Sequence, residues 1–222
     1  MTSLMTKKYW TLYIIMMLLV IGCNGQFDGS SSSTVTPALV FAFGDGGLLS
    51  REPCGPPCFY GITPGITTQI EVSQILENLG ILDKCQFLAL PPMKDEQASI
   101  DWQCQGGFGI EIGKDTQIVK SIYFRIEEPV EIQKIIEMYG DPDVIEVLET
   151  GFVDAPSVSA TVYFMKSRMV FPLPEVEGFN YPISPTTLVN RIMYRDDQSL
   201  QREIERWSDI TMPWNGYGSY AP

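Results

Sequence analysis

"EVSQILENLGILD" at 71–83 and "EIQKIIEMYGDPD" at 131–143 stand sixty residues apart and align without a gap. Glu71 matches Glu131, Glu77 matches Glu137, Gly80 matches Gly140 and Asp83 matches Asp143. The apolar residues Val72, Ile75, Leu76 and Leu79 match Ile132, Ile135, Ile136 and Tyr139. Their spacing of i, i+3, i+4 and i+7 marks one face of a helix. Glycine closes each stretch, where a left-handed backbone carries no Cβ penalty. The first helix opens on a capping box, Thr68-x-x-Glu71. The second has Pro129 near its first turn, a position that tolerates a missing N–H.

A second match lies downstream, where "QIVKSIYFR" (117–125) aligns with "TLVNRIMYR" (187–195) at a spacing of seventy. The ten extra residues fall in the Pro-rich stretch "PLPEVEGFNYPISP" (172–185). Between each helix and its last strand run alternating segments, 99–104 and 107–112 in the first copy and 158–165 and 168–171 in the second. A short extended piece, 84–88 or 143–148, follows each helix. The expected fold class is therefore α+β: two tandem helix-plus-four-strand antiparallel units, at about 64–126 and 127–196, sharing a sheet with the helices on one face. Hairpin-length links favour antiparallel pairing, and one face of such a sheet can meet water. Ile118, Ile122 and Phe124, with Leu188, Ile192 and Tyr194, are expected against the helices. Val119, Ser121, Tyr123 and Arg125, with Val189, Arg191, Met193 and Arg195, are expected on the other face. The segment 197–210 reads as a C-terminal amphipathic helix capping the second unit, and "WNGYGSY" (214–220) as a tail that packs back.

The chain begins differently. Lys7 and Lys8 precede an uncharged run from Tyr9 to Gly22. Fourteen helical residues rise about 21 Å, short of a bilayer core of about 30 Å. The run suits a secretory signal, 1–22. Its end, Val20-Ile21-Gly22-Cys23, resembles the lipobox of bacterial lipoproteins. That resemblance implies a lipidated Cys23 at the mature N-terminus and an extracytoplasmic domain anchored to a bacterial membrane, at the outer face of the cytoplasmic membrane or at the outer membrane. The Gly/Ser/Thr-rich residues after Cys23 read as a flexible tether, taken to span 23–50, ahead of a folded part at 51–222. The chain carries 27 acidic and 15 basic residues. Loss of residues 1–22 removes two lysines and no carboxylate, which leaves a net charge of −14. Such a chain is repelled by nucleic acid and by anionic lipid, so no nucleic-acid partner is expected and the anchor is the acyl chain.

Four further cysteines, Cys54, Cys58, Cys85 and Cys104, point to disulfides in an oxidising compartment. Three connectivities are possible; proximity and the expected strand pairing favour Cys54–Cys58 and Cys85–Cys104. "CGPPC" (54–58) has one residue more than the CGPC redox motif of thioredoxins, and two prolines cannot open the helix that would activate a thiol. The absence of histidine removes His-based triads, His-ligated metal and imidazole acid–base chemistry. No cofactor or metal is expected. "GGFGIEIG" (106–113) leads into a strand rather than a helix, so it does not cradle phosphate.

The elements Gly65-Ile66-Thr67, Leu79-Gly80 and Tyr139-Gly140-Asp141-Pro142 resemble the signature of small outer-membrane-assembly lipoproteins. The tandem layout is similar to that of the β-lactamase inhibitor proteins, which bind through a concave sheet face. The resemblance covers about 62–210 and implies a non-catalytic module that binds an envelope protein. The residues themselves offer a candidate binding face of Tyr123, Arg125, Tyr163, Arg191, Met193 and Arg195, side-chain types enriched at interfaces. Two alternatives stand beside it. One is a carboxylate-dependent cell-wall hydrolase using Asp101 and Glu111. The other is a purely structural envelope protein.

Overall fold

Helices form where the period places them: α1 is Gln69–Asn78 and α2 is Ile132–Tyr139 in the computed structural model, which describes residues 44–90, 99–152 and 154–222. The capping box forms in full at α1, with the Thr68 hydroxyl accepting from the Glu71 N–H and the Glu71 carboxylate accepting from the Thr68 N–H. Gly80 then leaves the helix at φ +68° and Gly140 leaves α2 at φ +85°, both in the region that only glycine enters without strain. A 3₁₀ turn, Leu82–Lys84, links α1 to the sheet.

The strands are β1 (Cys85–Leu90), β2 (Ser99–Cys104), β3 (Phe108–Gly113), β4 (Val119–Glu131), β5 (Val144–Glu149), β6 (Ser157–Phe164), β7 (Met169–Pro172), β8 (Val176–Glu177), β9 (Tyr181–Ile183), β10 (Leu188–Arg195), β11 (Thr211–Pro213) and β12 (Gly218–Tyr220). A third helix, α3, spans Asp197–Arg206. The main sheet runs β1-β2-β3-β4-β10-β7-β6-β5-β11, with β8 added to β6, and every described pairing is antiparallel. The insertion at 172–185 contributes β8 and β9, and β9 pairs with β12 of the tail. Trp214 stacks on Tyr220 there. The described protein is thus mixed, with three helices and a large antiparallel sheet.

Cross-strand partners project to the same face, so register defines the core. Ile110 pairs with Ile122, Ile192 with Phe124, Tyr194 with Met169, and Val162 with both Phe171 and Ile145. All are buried, in one cluster with Val72 and Leu76 of α1 and Ile132 and Ile135 of α2. Phe59 joins it from the N-terminal loop, its ring 4.4 Å from that of Phe124.

Two β-bulges correct the expected faces. Ile118 was expected inward and Val119 outward, yet Val119 is buried opposite Ile112 and Ile118 is half-buried. The register shifts between Glu111 and Ile112, and a one-residue slip exchanges the faces. Likewise Leu188 is exposed and Val189 buried opposite Val130, because the register shifts between Val189 and Arg191. Pro129 lies in the last turnless stretch of β4 rather than in the first turn of α2, whose N-cap is Glu131.

The tether boundary also moves. Leu48 is fully buried, and Asp45 accepts from the N–H groups of Gly47, Leu49 and Ser50 and from the Ser50 hydroxyl. Burial pushes the Asp45 carboxyl up, but these bonds outweigh it and hold the group below the usual carboxylate range. Tyr139 donates to the Leu48 carbonyl, which ties this loop to α2. Residues 44–50 therefore belong to the folded part. The run at 9–22, Cys23 and the rest of the tether lie outside the described residues.

Candidate functional site

The sheet face turned away from α1 and α2 carries all six residues of the expected binding face. Register shows it: Tyr123 pairs with Met193, Arg125 with Arg191, Met193 with Val170, and Val170 with Tyr163. Arg195 lies two residues beyond Met193 on β10 and shares its side.

That face is open over only part of its extent. Leu200 of α3 is buried with Tyr163 and Val170, and Val144, Met165, Met193 and Ile204 pack around them. Tyr163 is 1 % exposed and donates to Glu146 at 2.7 Å. Burial pushes its hydroxyl well above the ordinary tyrosine range. Helix α3 is capped by Asp196, whose side chain accepts from the Ser199 N–H at 2.6 Å. Arg168 holds its first turn, 3.8 Å from Asp197. Arg195 Nε stands 2.6 Å from Glu203 Oε2. Both atoms are buried without a well-directed hydrogen bond, so the contact is a close charge pair. Burial raises the Glu203 carboxyl above its usual range even with Arg195 pulling it down. Three of the six residues, Tyr163, Met193 and Arg195, therefore serve to seat α3.

Tyr123, Arg125 and Arg191 remain on the uncovered part. Tyr123 lies across the sheet, its hydroxyl 3.1 Å from Asp101 Oδ2, and Gln103 donates to the same oxygen at 3.0 Å. Its ring occupies the space above Gly109, where any Cβ would run into Cζ and Oη. Burial, with the Asp101 charge adding to it, pushes the Tyr123 hydroxyl up to about 12. Arg125 and Arg191 are direct cross-strand partners and both are exposed. Like charges placed opposite one another destabilise a sheet. Arg51 lies over the Tyr139 ring, and Arg168 and Arg195 face carboxylates; among the described residues neither Arg125 nor Arg191 has a carboxylate within ion-pair distance.

Asp101 and Glu111 are direct partners across β2 and β3. Asp101 is buried and bonded to Tyr123 and Gln103, and Glu111 accepts from Ser121 at 3.1 Å. They stand side by side on one sheet face rather than across a cleft from each other. Two surface cavities lie elsewhere, one of about 290 Å³ lined by residues 83–86 and 103–105 and one of about 380 Å³ between Asp45 and Glu127. The disulfides Cys54–Cys58 and Cys85–Cys104 are both present, the second joining register partners of β1 and β2.

The roles of Glu203, Asp101 and Gly109 were not foreseen. Consecutive apolar residues at Val162-Tyr163-Phe164 and Met169-Val170-Phe171 were the available signal for the covered region, since only a strand buried on both faces reads that way. No family model, curated protein or solved structure matches the chain.

Proposed function

We propose that the protein is a bacterial lipoprotein, anchored through Cys23, whose folded part is a non-catalytic module that binds an acidic segment of an envelope protein. The observation that carries the binding reading is the Arg125–Arg191 pair. Two exposed guanidinium groups repel each other in register on a chain of net charge −12 that has carboxylates to spare. A partner carboxylate bound between them relieves that repulsion, and arginine forks suit bidentate recognition. Tyr123 beside them offers a rigid aromatic contact of the kind common at binding hot spots.

The module is built, in this reading, from two copies of a helix-plus-four-strand unit. Support comes from strand order: β1-β2-β3-β4 and β5-β6-β7-β10 meet head to head, with β4 against β10 at the seam. The helices before β1 and β5 bury residues that align in sequence, Val72 and Leu76 against Ile132 and Ile136, the first three of them fully.

Pull-down from detergent-solubilised envelope with the full chain tests the proposal. The wild type should retain a partner that Arg125→Glu with Arg191→Glu loses, while thermal unfolding stays unchanged. Retention of the same partner by the doubly reversed variant refutes the assignment of the surface. Metabolic labelling with a palmitate analogue, lost in Cys23→Ser, tests the anchor.

A further inference from the structure

The two ends of the main sheet are finished differently. At one end β11 has three residues and closes on Pro213, which blunts the edge. At the other, β1 reads Cys-Gln-Phe-Leu-Ala-Leu, with no charge, no proline and an unbroken register against β2. Gln86, Phe87, Leu88 and Ala89 are exposed, Phe87 at 51 %. Six residues of flat, uncharged edge are what soluble proteins ordinarily avoid.

The hydrogen-bond pattern shows which groups that edge offers. The Gln105 N–H donates to the Lys84 carbonyl, so Lys84, Gln86, Leu88 and Leu90 spend their backbone groups on β2. Cys85, Phe87 and Ala89 turn theirs outward. The Cys85 N–H is already given to the Leu82 carbonyl. Among the described residues, the edge therefore presents two donors, at Phe87 and Ala89, and carbonyls at Cys85, Phe87 and Ala89.

We propose that β1 pairs with β1 of a second copy, antiparallel, about a two-fold axis through Phe87. The set of groups is its own complement in that register. Phe87 exchanges both bonds with Phe87 of the other copy, and each Ala89 N–H meets the Cys85 carbonyl opposite. Four hydrogen bonds form, and each outward donor finds an acceptor. The Phe87 rings come side by side, on the face where each already meets Trp102 at 5.5 Å. An acidic chain repels its copy over most of its surface, and β1 is a stretch where no charge faces no charge. Isologous pairing of this kind closes after two copies. The contact falls in the small class, under about 1,200 Å², so the dimer depends on concentration.

Light scattering on the full chain in detergent, over a dilution series, reads the result. The polypeptide mass should double at high concentration and return to that of one chain on dilution. Ala89→Pro removes an outward donor and leaves the β2 ladder intact, and Phe87→Lys puts a charge on the axis. Each should hold the chain monomeric with an unchanged circular dichroism spectrum. Amide exchange of Phe87 and Ala89 in the wild type should slow with concentration, a readout that needs no variant. A wild type that stays monomeric at all concentrations overturns the proposal, as when the edge takes a strand of another protein. So does a dimer that survives both substitutions, or Phe87 and Ala89 amides whose exchange ignores concentration.

Discussion

Replacing Gly109 with alanine should destabilise the protein, and the same replacement should become harmless or favourable once Tyr123 is gone. A Cβ at Gly109 cannot coexist with the Tyr123 ring, which meets it at Cζ and Oη. These atoms are the outer end of a side chain on a partly open face, so the ring swings away and the backbone keeps its place. The cost is what the ring does there. One hydrogen bond to the buried carboxylate of Asp101 is lost, worth about 1.5 kcal/mol for a charged acceptor. Tyrosine buries about 150–250 Å² when fully covered. This ring is half-buried, so losing about half of its cover at about 25 cal/mol per Å² removes roughly 1 kcal/mol more. Alanine returns about 0.5–1 kcal/mol over glycine in a strand. The net loss is about 1.5–2 kcal/mol. In the Tyr123→Ala background only the alanine gain remains, so the sign reverses. Urea unfolding of the four proteins of this cycle measures both numbers. Equal destabilisation by Gly109→Ala in both backgrounds refutes the account of why glycine stands there.

Other outcomes follow from the same structure. Leu200→Ala should weaken the seat of α3 by about 2–3 kcal/mol, the lower part of the range for a buried leucine, and should speed amide exchange in 197–206 before the sheet opens. Burial raises Glu203, so the folded protein keeps its proton where the unfolded chain has lost it. Its stabilising contribution is complete below the unfolded value and disappears as pH rises through the folded one. The stability difference between wild type and Glu203→Gln should accordingly fall as pH rises above the ordinary carboxylate range, and a difference that grows contradicts it. Asp45 has the opposite sign: its hydrogen bonds hold it low, so Asp45→Asn should cost about 1 kcal/mol at neutral pH, with the deficit vanishing as wild type is acidified through its folded value.

Where the pattern of side chains repeats, the fold was legible. Val72 and Leu76 and their counterparts declared α1 and α2, and Thr68 with Glu71 declared where the first helix starts. The alternation of Ile122, Phe124, Ile192 and Tyr194 identified the core face of the two seam strands. Period-2 reasoning failed at both bulges, because alternation counts residues and a bulge adds one that the partner strand does not see; Val119 and Val189 changed sides for that reason alone. The six candidate residues share one side of the sheet, and α3 covers part of that side. Helix α3 shows one buried leucine and a half-buried Ile204, too few to say which side of the sheet it covers. Register was likewise beyond reach. The repeat aligned Arg125 with Arg195, but antiparallel pairing at the seam puts Arg125 opposite Arg191 and Arg195 opposite Ser121.

That seam has a bearing on how the chain comes to its final shape. The middle of the sheet is sewn by β10, which arrives more than fifty residues after β4 and inserts between it and β7. A chain stopped short of residue 188 carries two half-sheets, each with a bare inner border at the very place where the intact protein is most thoroughly bonded. Such a fragment should behave as a sticky intermediate instead of a smaller stable protein. The last strand of the pattern acts as a keystone, and the two flanks melt together once it is withdrawn.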